Sequence, residues 1–303
     1  MSETTTQYDH EEEMKYRDKG IGGSDVASVL GISKWKSPIQ LWMEKTGRSP
    51  KAPDNNTFKR GRALEPVVLE EYTTQTGRPL IQIAPVIDGC FIASLDAMTA
   101  DRKRIVDAKT TTRGFTEIPM YYETQLQWYM GFFPEVEHGD LPTWDLLKDE
   151  IDCDLSCVRN DELIAGMRAI VKEFWKRYVE GDTPPPPQSE DDCKLIWSKH
   201  TTGKIVVATP VEITAISRLN RIKSLEKRLE SAESEAKFAI MRRIEDADTL
   251  TDEAGNKLCT FRANKDSTKI DWEAVAKELN APEETIAKHT TTKSGARVLR
   301  LAK

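Results

Sequence analysis

The run Thr183-Pro184-Pro185-Pro186-Pro187 divides this chain of 303 residues more firmly than any other feature in it. Serial prolines lack backbone N–H groups and have φ fixed by the ring. Neither a helix interior nor a central strand passes through them, and they stiffen into an extended spacer. The expected organisation is a first domain over residues 14–183, a linker over 184–188 and a C-terminal domain over 189–303. Residues 1–13 hold five acids and no base, which reads as a disordered acidic tail.

Ahead of the prolines, Leu163, Ile164, Met167, Ile170, Val171, Phe174, Trp175 and Tyr178 recur at three-and-four spacing. That period predicts an amphipathic helix from Asp161 to Gly181, with Asp161 as N-cap and Gly181 as C-cap. Three β-type runs precede it: Leu80–Ile87, Phe91–Leu95 and Arg104–Thr110, with turns at Asp88-Gly89 and Asp101-Arg102-Lys103. Helices before and after them predict an α/β or α+β layer, a small sheet covered by helices. Beyond the prolines we expect a strand over Lys204–Ala208 and a long helix from Val211 to Ala247. A turn at Asp252–Asn256 then leads to a strand Lys257–Arg262, a short helix Asp271–Leu279 and a last strand Ala296–Leu301. At ~1.5 Å per residue the long helix reaches roughly 50 Å, and its apolar stripe needs another surface, from the first domain, from another chain or from itself as a coiled coil.

Composition excludes some classes. No stretch approaches the roughly 20 apolar residues that span a bilayer, and no basic-then-apolar leader opens the chain. Five cysteines, with no Cys-x-x-Cys pair, argue against a disulfide framework. Cys153 and Cys157 do not match a four-cysteine iron–sulfur spacing, and the four histidines show no metal spacing. The expectation is a soluble protein of a reducing cytoplasm. The net charge is −6, yet residues 14–113 carry 17 Lys+Arg against 11 Asp+Glu. A basic field local to the first domain is what phosphate binding needs, because counterion release depends on the contact surface and not on the total charge.

Chemistry concentrates on the third β-run, Arg104-Ile105-Val106-Asp107-Ala108-Lys109. Asp107 and Lys109 are two apart on a strand and leave one face. Asp96 ends the preceding run, and a hairpin brings it beside Asp107. Two carboxylates and an ammonium at one sheet edge suit a divalent-metal phosphodiesterase: hard Mg²⁺ takes carboxylate oxygens, and the lysine positions water. The same spacing also occurs in ordinary exposed hairpins. Glu65, in Lys59-Arg60-Gly61-Arg62-Ala63-Leu64-Glu65-Pro66, sits in the first turn of a helix ending near Gly77. It offers a third acid or simply a partner for the helix dipole. Gln125 lies among aromatics on a helix whose rings are mostly core. Arg17, Gly22-Gly23 and Ser24 form a glycine turn with Ser24 capping a short helix, a phosphate site or a plain capped turn.

Taken in order, Arg17…Gly20-Ile21-Gly22-Gly23-Ser24-Asp25, Ser37-Pro38-Ile39-Gln40-Leu41-Trp42-Met43-Glu44-Lys45-Thr46-Gly47, Gly61…Glu65-Pro66, Asp96, Asp107-Ala108-Lys109 and Tyr122-x-x-Gln125-x-Gln127 resemble the YqaJ-like viral recombinases. These are relatives of phage lambda exonuclease in the PD-(D/E)xK nuclease superfamily. The resemblance spans about residues 14–180. It implies a restriction-endonuclease-like core of a small mixed sheet flanked by helices, with a C-terminal extension bearing the long helix and short strands. It also implies a 5′→3′ exonuclease on double-stranded DNA, leaving 3′ single-stranded tails for recombination by annealing.

By position, the resemblance makes Asp96, Asp107, the Ala108 carbonyl and Glu65 ligands of Mg²⁺ or Mn²⁺, two ions in all. Lys109 orients the nucleophile, Gln125 lies near the attacking water, and Arg17 and Ser24 hold the 5′-terminal phosphate. DNA ends, a trimeric ring and a single-strand annealing protein are the implied partners, with no membrane, in the cytoplasm of a phage's host. This chain departs from many relatives in having Leu95-Asp96-Ala97 for Pro-Asp-Gly and Asp107 where Glu is commoner. The alternatives are an endonuclease or repair nuclease of the same fold, or a non-catalytic DNA-end binder or scaffold.

Overall fold

The computed structural model describes residues 16–49, 55–264 and 270–291. The acidic tail 1–13 and the expected strand Ala296–Leu301 lie outside them. The chain forms two compact units, Met1–Trp197 and Ser198–Lys303.

The first unit is mixed α/β. Helices α1 (Gly23–Val29), α2 (Pro38–Lys45) and α3 (Asn56–Thr76) precede the strands. Helix α2 starts where Ser37 accepts from the Gln40 N–H and Gln40 reaches back, a full capping box with Pro38 in the first turn. The strands follow as β1 (Leu80–Ile81), β2 (Val86–Asp88), β3 (Phe91–Ala93), β4 (Ala97–Thr99), β5 (Arg104–Val106) and β6 (Lys109–Thr111). Helix α4 (Met120–Met130) comes next, then β7 (His138–Asp140), β8 (Thr143–Asp145), β9 (Glu150–Asp152), β10 (Ser156–Val158) and α5 (Asp161–Phe174). The main sheet runs β1-β4-β5-β7-β10, with β5 and β7 parallel and the other neighbours antiparallel. A second sheet, β6-β8-β9, continues the parallel pairing, and β2-β3 is a separate hairpin.

Helix α4 covers the main sheet with Leu126, Trp128 and Met130 fully or almost fully buried, and α5 packs on α4 through Ile164, Met167 and Val171. These side chains form one apolar core with Ile21, Val26, Met98 and Ile105. Behind the sheet, the buried Tyr72 of α3 donates to Asp140 Oδ2 at 2.5 Å. Asp140 also takes Arg104 Nη1 at 2.7 Å and Ser156 Oγ at 2.6 Å, so this buried charge is fully partnered.

Several local expectations are corrected. The run Leu80–Ile87 is two strands, because Pro85 has no N–H to give to a ladder. The third β-run breaks at Asp107-Ala108 into β5 and β6. A strand not expected, β4, stands between Asp96 and the turn at Asp101–Lys103. The helix bearing Glu65 begins at Asn56, capped by the Asn55 side chain, so Glu65 lies mid-helix, followed by an internal Pro66. Ser24 does not cap α1: Gly22 holds the N-cap position and Ser24 lies inside the first turn. Helix α5 is capped by Asn160, one residue before Asp161, and its last turns widen into a π-helix over Trp175–Glu180. Past the prolines, helix α6 (Glu190–Ile196) is pinned by its buried Asp192, which accepts from Ser37 Oγ at 2.5 Å.

In the second unit, residues 204–208 form no strand: they are irregular and exposed, with Ile205, Val206 and Val207 each more than 80% accessible. Three apolar side chains in succession have no sheet edge to join there. Helix α7 (Pro210–Ile244) has 35 residues and starts at a capping box of Thr209 and Glu212. The hairpin β11 (Thr249–Thr251)/β12 (Lys257–Thr260), α8 (Trp272–Glu278) and α9 (Glu283–His289) follow. Among the described residues no helix is long and apolar enough to cross a membrane.

Candidate active site

The pairing of Ala97 with Val106 ends the β4–β5 ladder and leaves Asp96 opposite Asp107. Beyond that point the Ala108 N–H has no strand partner, and the Asp96 carboxylate takes it at 2.8 Å. Across the parallel side, the Asp107 N–H bonds to Asp140 O at 3.0 Å and the Lys109 N–H to Pro142 O at 2.9 Å. Backbone bonds on either side of Ala108 thus fix the kink that carries both acids and the lysine.

Asp107 is 1% exposed. Its Oδ2 is ion-paired with Lys109 Nζ, and its Oδ1 accepts from Gln125 Nε2 at 3.0 Å. The same Gln125 amide meets Tyr129 Oη at 3.0 Å, one helical turn on. Burial and then the neighbouring Asp107 carboxylate push the Asp96 carboxyl well above the usual range; Lys109 and the Ala108 N–H oppose this, and Glu65 adds to it. Burial works against the charge on Lys109, but the attraction of Asp107 and Asp96 overcomes it and holds the ammonium above its ordinary range. Asp107 is buried and Asp96 half-buried, and the two acids share one lysine. Among the described residues no three His, Cys, Asp or Glu side chains form a metal-holding cluster. Glu65 is half-buried on α3 and acts on Asp96 through its charge.

A second group of residues lies at the start of α1. Arg17 Nη2 meets Ser24 Oγ at 3.3 Å. The buried Asp25 pairs with Lys45 Nζ at 2.7 Å and Lys36 Nζ at 3.8 Å, while Lys45 also donates to Arg17 O at 2.6 Å. Burial opposes ionisation of Asp25, yet Lys45 and Lys36 keep its carboxyl below the ordinary range, with Arg17 assisting. Helix α1 leans on α4 so closely that a Cβ on Gly23 would lie 2.4 Å from Tyr129 Cε1. Tyr129 therefore touches α1 with its ring and Gln125 with its hydroxyl, joining the two groups.

The structure brings Asp96, Asp107, Ala108, Lys109 and Gln125 together, with Glu65 at the periphery, and Arg17 with Ser24 separately. Sequence reasoning missed Tyr129 and the Lys45–Asp25 pair. The four-residue interval from Gln125 to Tyr129 on one helix face was a usable signal; the contact of Lys45 with Asp25 was not, because it depends on how α2 crosses α1.

Fold and site together define a mixed α/β domain with two acids and a lysine converging at a kinked sheet edge. Residues 14–132 match the family model described as the YqaJ-like viral recombinase domain. The chain is 28% identical over 256 residues to the uncharacterized protein YqaJ of Bacillus subtilis (strain 168), covering 77% of each. A crystal structure of an alkaline exonuclease (LHK-Exo) from Laribacter hongkongensis superposes with a TM-score of 0.48 at 21% identity, covering 57% of this chain and 94% of that one. A phage-related exonuclease from Haemophilus somnus 129PT gives 0.44 at 14% identity, over 54% and 95%.

Proposed function

We propose that the protein is a magnesium-dependent 5′→3′ exonuclease on double-stranded DNA, of the PD-(D/E)xK type, leaving 3′ tails for recombination by annealing. The observation that carries the reading is Asp107, buried between Lys109 and Gln125 with Asp96 tied to the adjacent backbone N–H. An exposed hairpin with incidental charges would leave these groups in water.

The donor set fits a hard divalent cation. Asp96 and Asp107 offer carboxylate oxygens, their mutual repulsion is what a cation relieves, and Mg²⁺ keeps several of its own waters, so two acids suffice. Asp96 and Asp107 would hold the ion, or two ions, with the Ala108 carbonyl and Glu65 contributing. When bound, it lowers the pKa of water and neutralises charge on the phosphate. Lys109, held protonated, orients the attacking water toward the phosphorus. Gln125 fixes the rotamer of Asp107 through Oδ1, leaving that side chain no freedom to swing away. Arg17 and Ser24 receive the 5′-phosphate of the strand end, selecting a terminus over an internal bond. The same reading takes a trimeric ring around DNA and a single-strand annealing protein as partner.

End-labelled linear duplex with Mg²⁺ or EDTA, compared with closed circular DNA, tests the reading. Release of nucleotides from 5′ ends only with Mg²⁺ supports it. Cutting of closed circles makes the protein an endonuclease instead, and binding without product leaves only a DNA-end binder.

A further inference from the structure

Trp35 stands 65% exposed at the tip of the loop between α1 and α2. An indole is the largest apolar side chain, and its exposure calls for a reason. The loop is firmly held: Ser33 Oγ accepts from the N–H groups of Trp35 at 3.2 Å and Lys36 at 3.3 Å, while the Ser33 N–H bonds to Ala27 O at 3.0 Å. The indole meets Tyr121 edge-to-face at 4.8 Å between centroids and Tyr122 at 6.2 Å, and the two tyrosines meet at 4.6 Å. Cations flank these rings, with Lys34 Nζ 5.2 Å from the Tyr121 centroid and Lys109 Nζ 5.4 Å from that of Tyr122. Aromatic contacts thus run unbroken from an exposed indole to the lysine paired with Asp107.

We propose that Trp35, braced by Tyr121 and Tyr122, is a stacking platform for an unpaired nucleobase of the strand whose phosphate lies at Asp107 and Lys109. The proposal rests on the nuclease reading for the identity of that strand. Aromatic faces with cations beside them are how proteins hold single-stranded nucleic acid: the rings stack any base and the cations meet the phosphates. A duplex interior offers no free base face, so the platform engages only a strand already parted at the end. The groove that Lys34 and Tyr121 share with Phe115 and Met120 carries both signs of charge, Arg113 and Lys148 as well as Asp145, Glu150 and Asp152.

The test measures binding of a labelled oligothymidylate to the full-length protein in EDTA, where no cleavage occurs. Trp35→Ala and Trp35→Leu are both expected to weaken binding about tenfold, and Trp35→Phe to restore most of it. The apolar but non-stacking leucine separates stacking from plain hydrophobic contact, so binding by Trp35→Leu equal to wild type overturns the proposal. As a second readout, the wild type should quench a 2-aminopurine placed at the strand end and Trp35→Ala should not; equal quenching also overturns it. Failure of the two readings is separable. Trp35-dependent binding without magnesium-dependent hydrolysis by the wild type refutes the nuclease and keeps the platform. Hydrolysis of duplex ends with binding unchanged in Trp35→Ala does the reverse.

Discussion

Gln125 Nε2 donates to Asp107 Oδ1 at 3.0 Å from the buried face of α4, so the helix that covers the sheet also holds a carboxylate at the sheet's edge. The other oxygen of that carboxylate faces Lys109. Both oxygens of Asp107 thus have a protein partner. Under the proposed function, Gln125→Ala lets Asp107 rotate and lowers the rate of nucleotide release about 10–100-fold, the usual cost of removing a group that orients a ligand side chain. Single-turnover kinetics on linear duplex check this. A rate within twofold of wild type would remove Gln125 from the site.

Gly23 has no space for a side chain. A Cβ there meets the Tyr129 ring at 2.4 Å, and the ring is buried and hydrogen-bonded. Gly23→Ala must push α1 and α4 apart, at a cost of about 1–3 kcal/mol. Urea unfolding should show a lower midpoint with an unchanged slope. Tyr129→Phe, by contrast, keeps the ring and loses only the contact to Gln125, so its midpoint should move much less.

The buried Tyr72–Asp140 bond ties α3, and with it Glu65, to the sheet. Burial first, then the Asp140 carboxylate, raise the Tyr72 hydroxyl from 10.0 to about 12. The folded state therefore keeps this proton where the unfolded chain releases it. The stability so conferred is complete below pH 10 and is lost as pH rises toward about 12. Tyr72→Phe should cost about 1.5–3 kcal/mol at neutral pH, since a charged acceptor loses a donor. It should also flatten the alkaline slope of the unfolding curve, and an identical slope in both proteins would disprove the coupling.

Arg17 and Ser24 lie 3.3 Å apart beside the Asp25–Lys45 pair. If they receive the terminal phosphate, Arg17→Ala should lower the ratio of rates on 5′-phosphorylated over 5′-hydroxyl ends about 10–100-fold, the equivalent of one charge-assisted contact. Cleavage of hydroxyl ends should change little. A ratio equal to that of wild type counts against the assignment.

Local chemistry alone determined a good part of this protein. The period of Leu163 to Phe174 and the stripe after Thr209 specify their helices, because a helix needs only its own spacing and caps. Prolines in series interrupt regular structure, so the run at 184–187 separates the π-helical end of α5 from α6. Asp96, Asp107 and Lys109 were legible as a group because a tight turn between two short strands forces their neighbourhood. Other features were decided by residues far away in the chain. The strand β4 exists only by pairing with β1 and β5, whereas residues 204–208, rich in β-formers, have no edge to pair with and form no strand. The burial of Asp107, the amide of Gln125 on it and the seating of Gly23 against Tyr129 follow from how α4 lies on the sheet and α1 on α4. A spacing can bring two side chains to one face, but only packing from other elements decides whether water or protein surrounds them, and that decides their charge and reach.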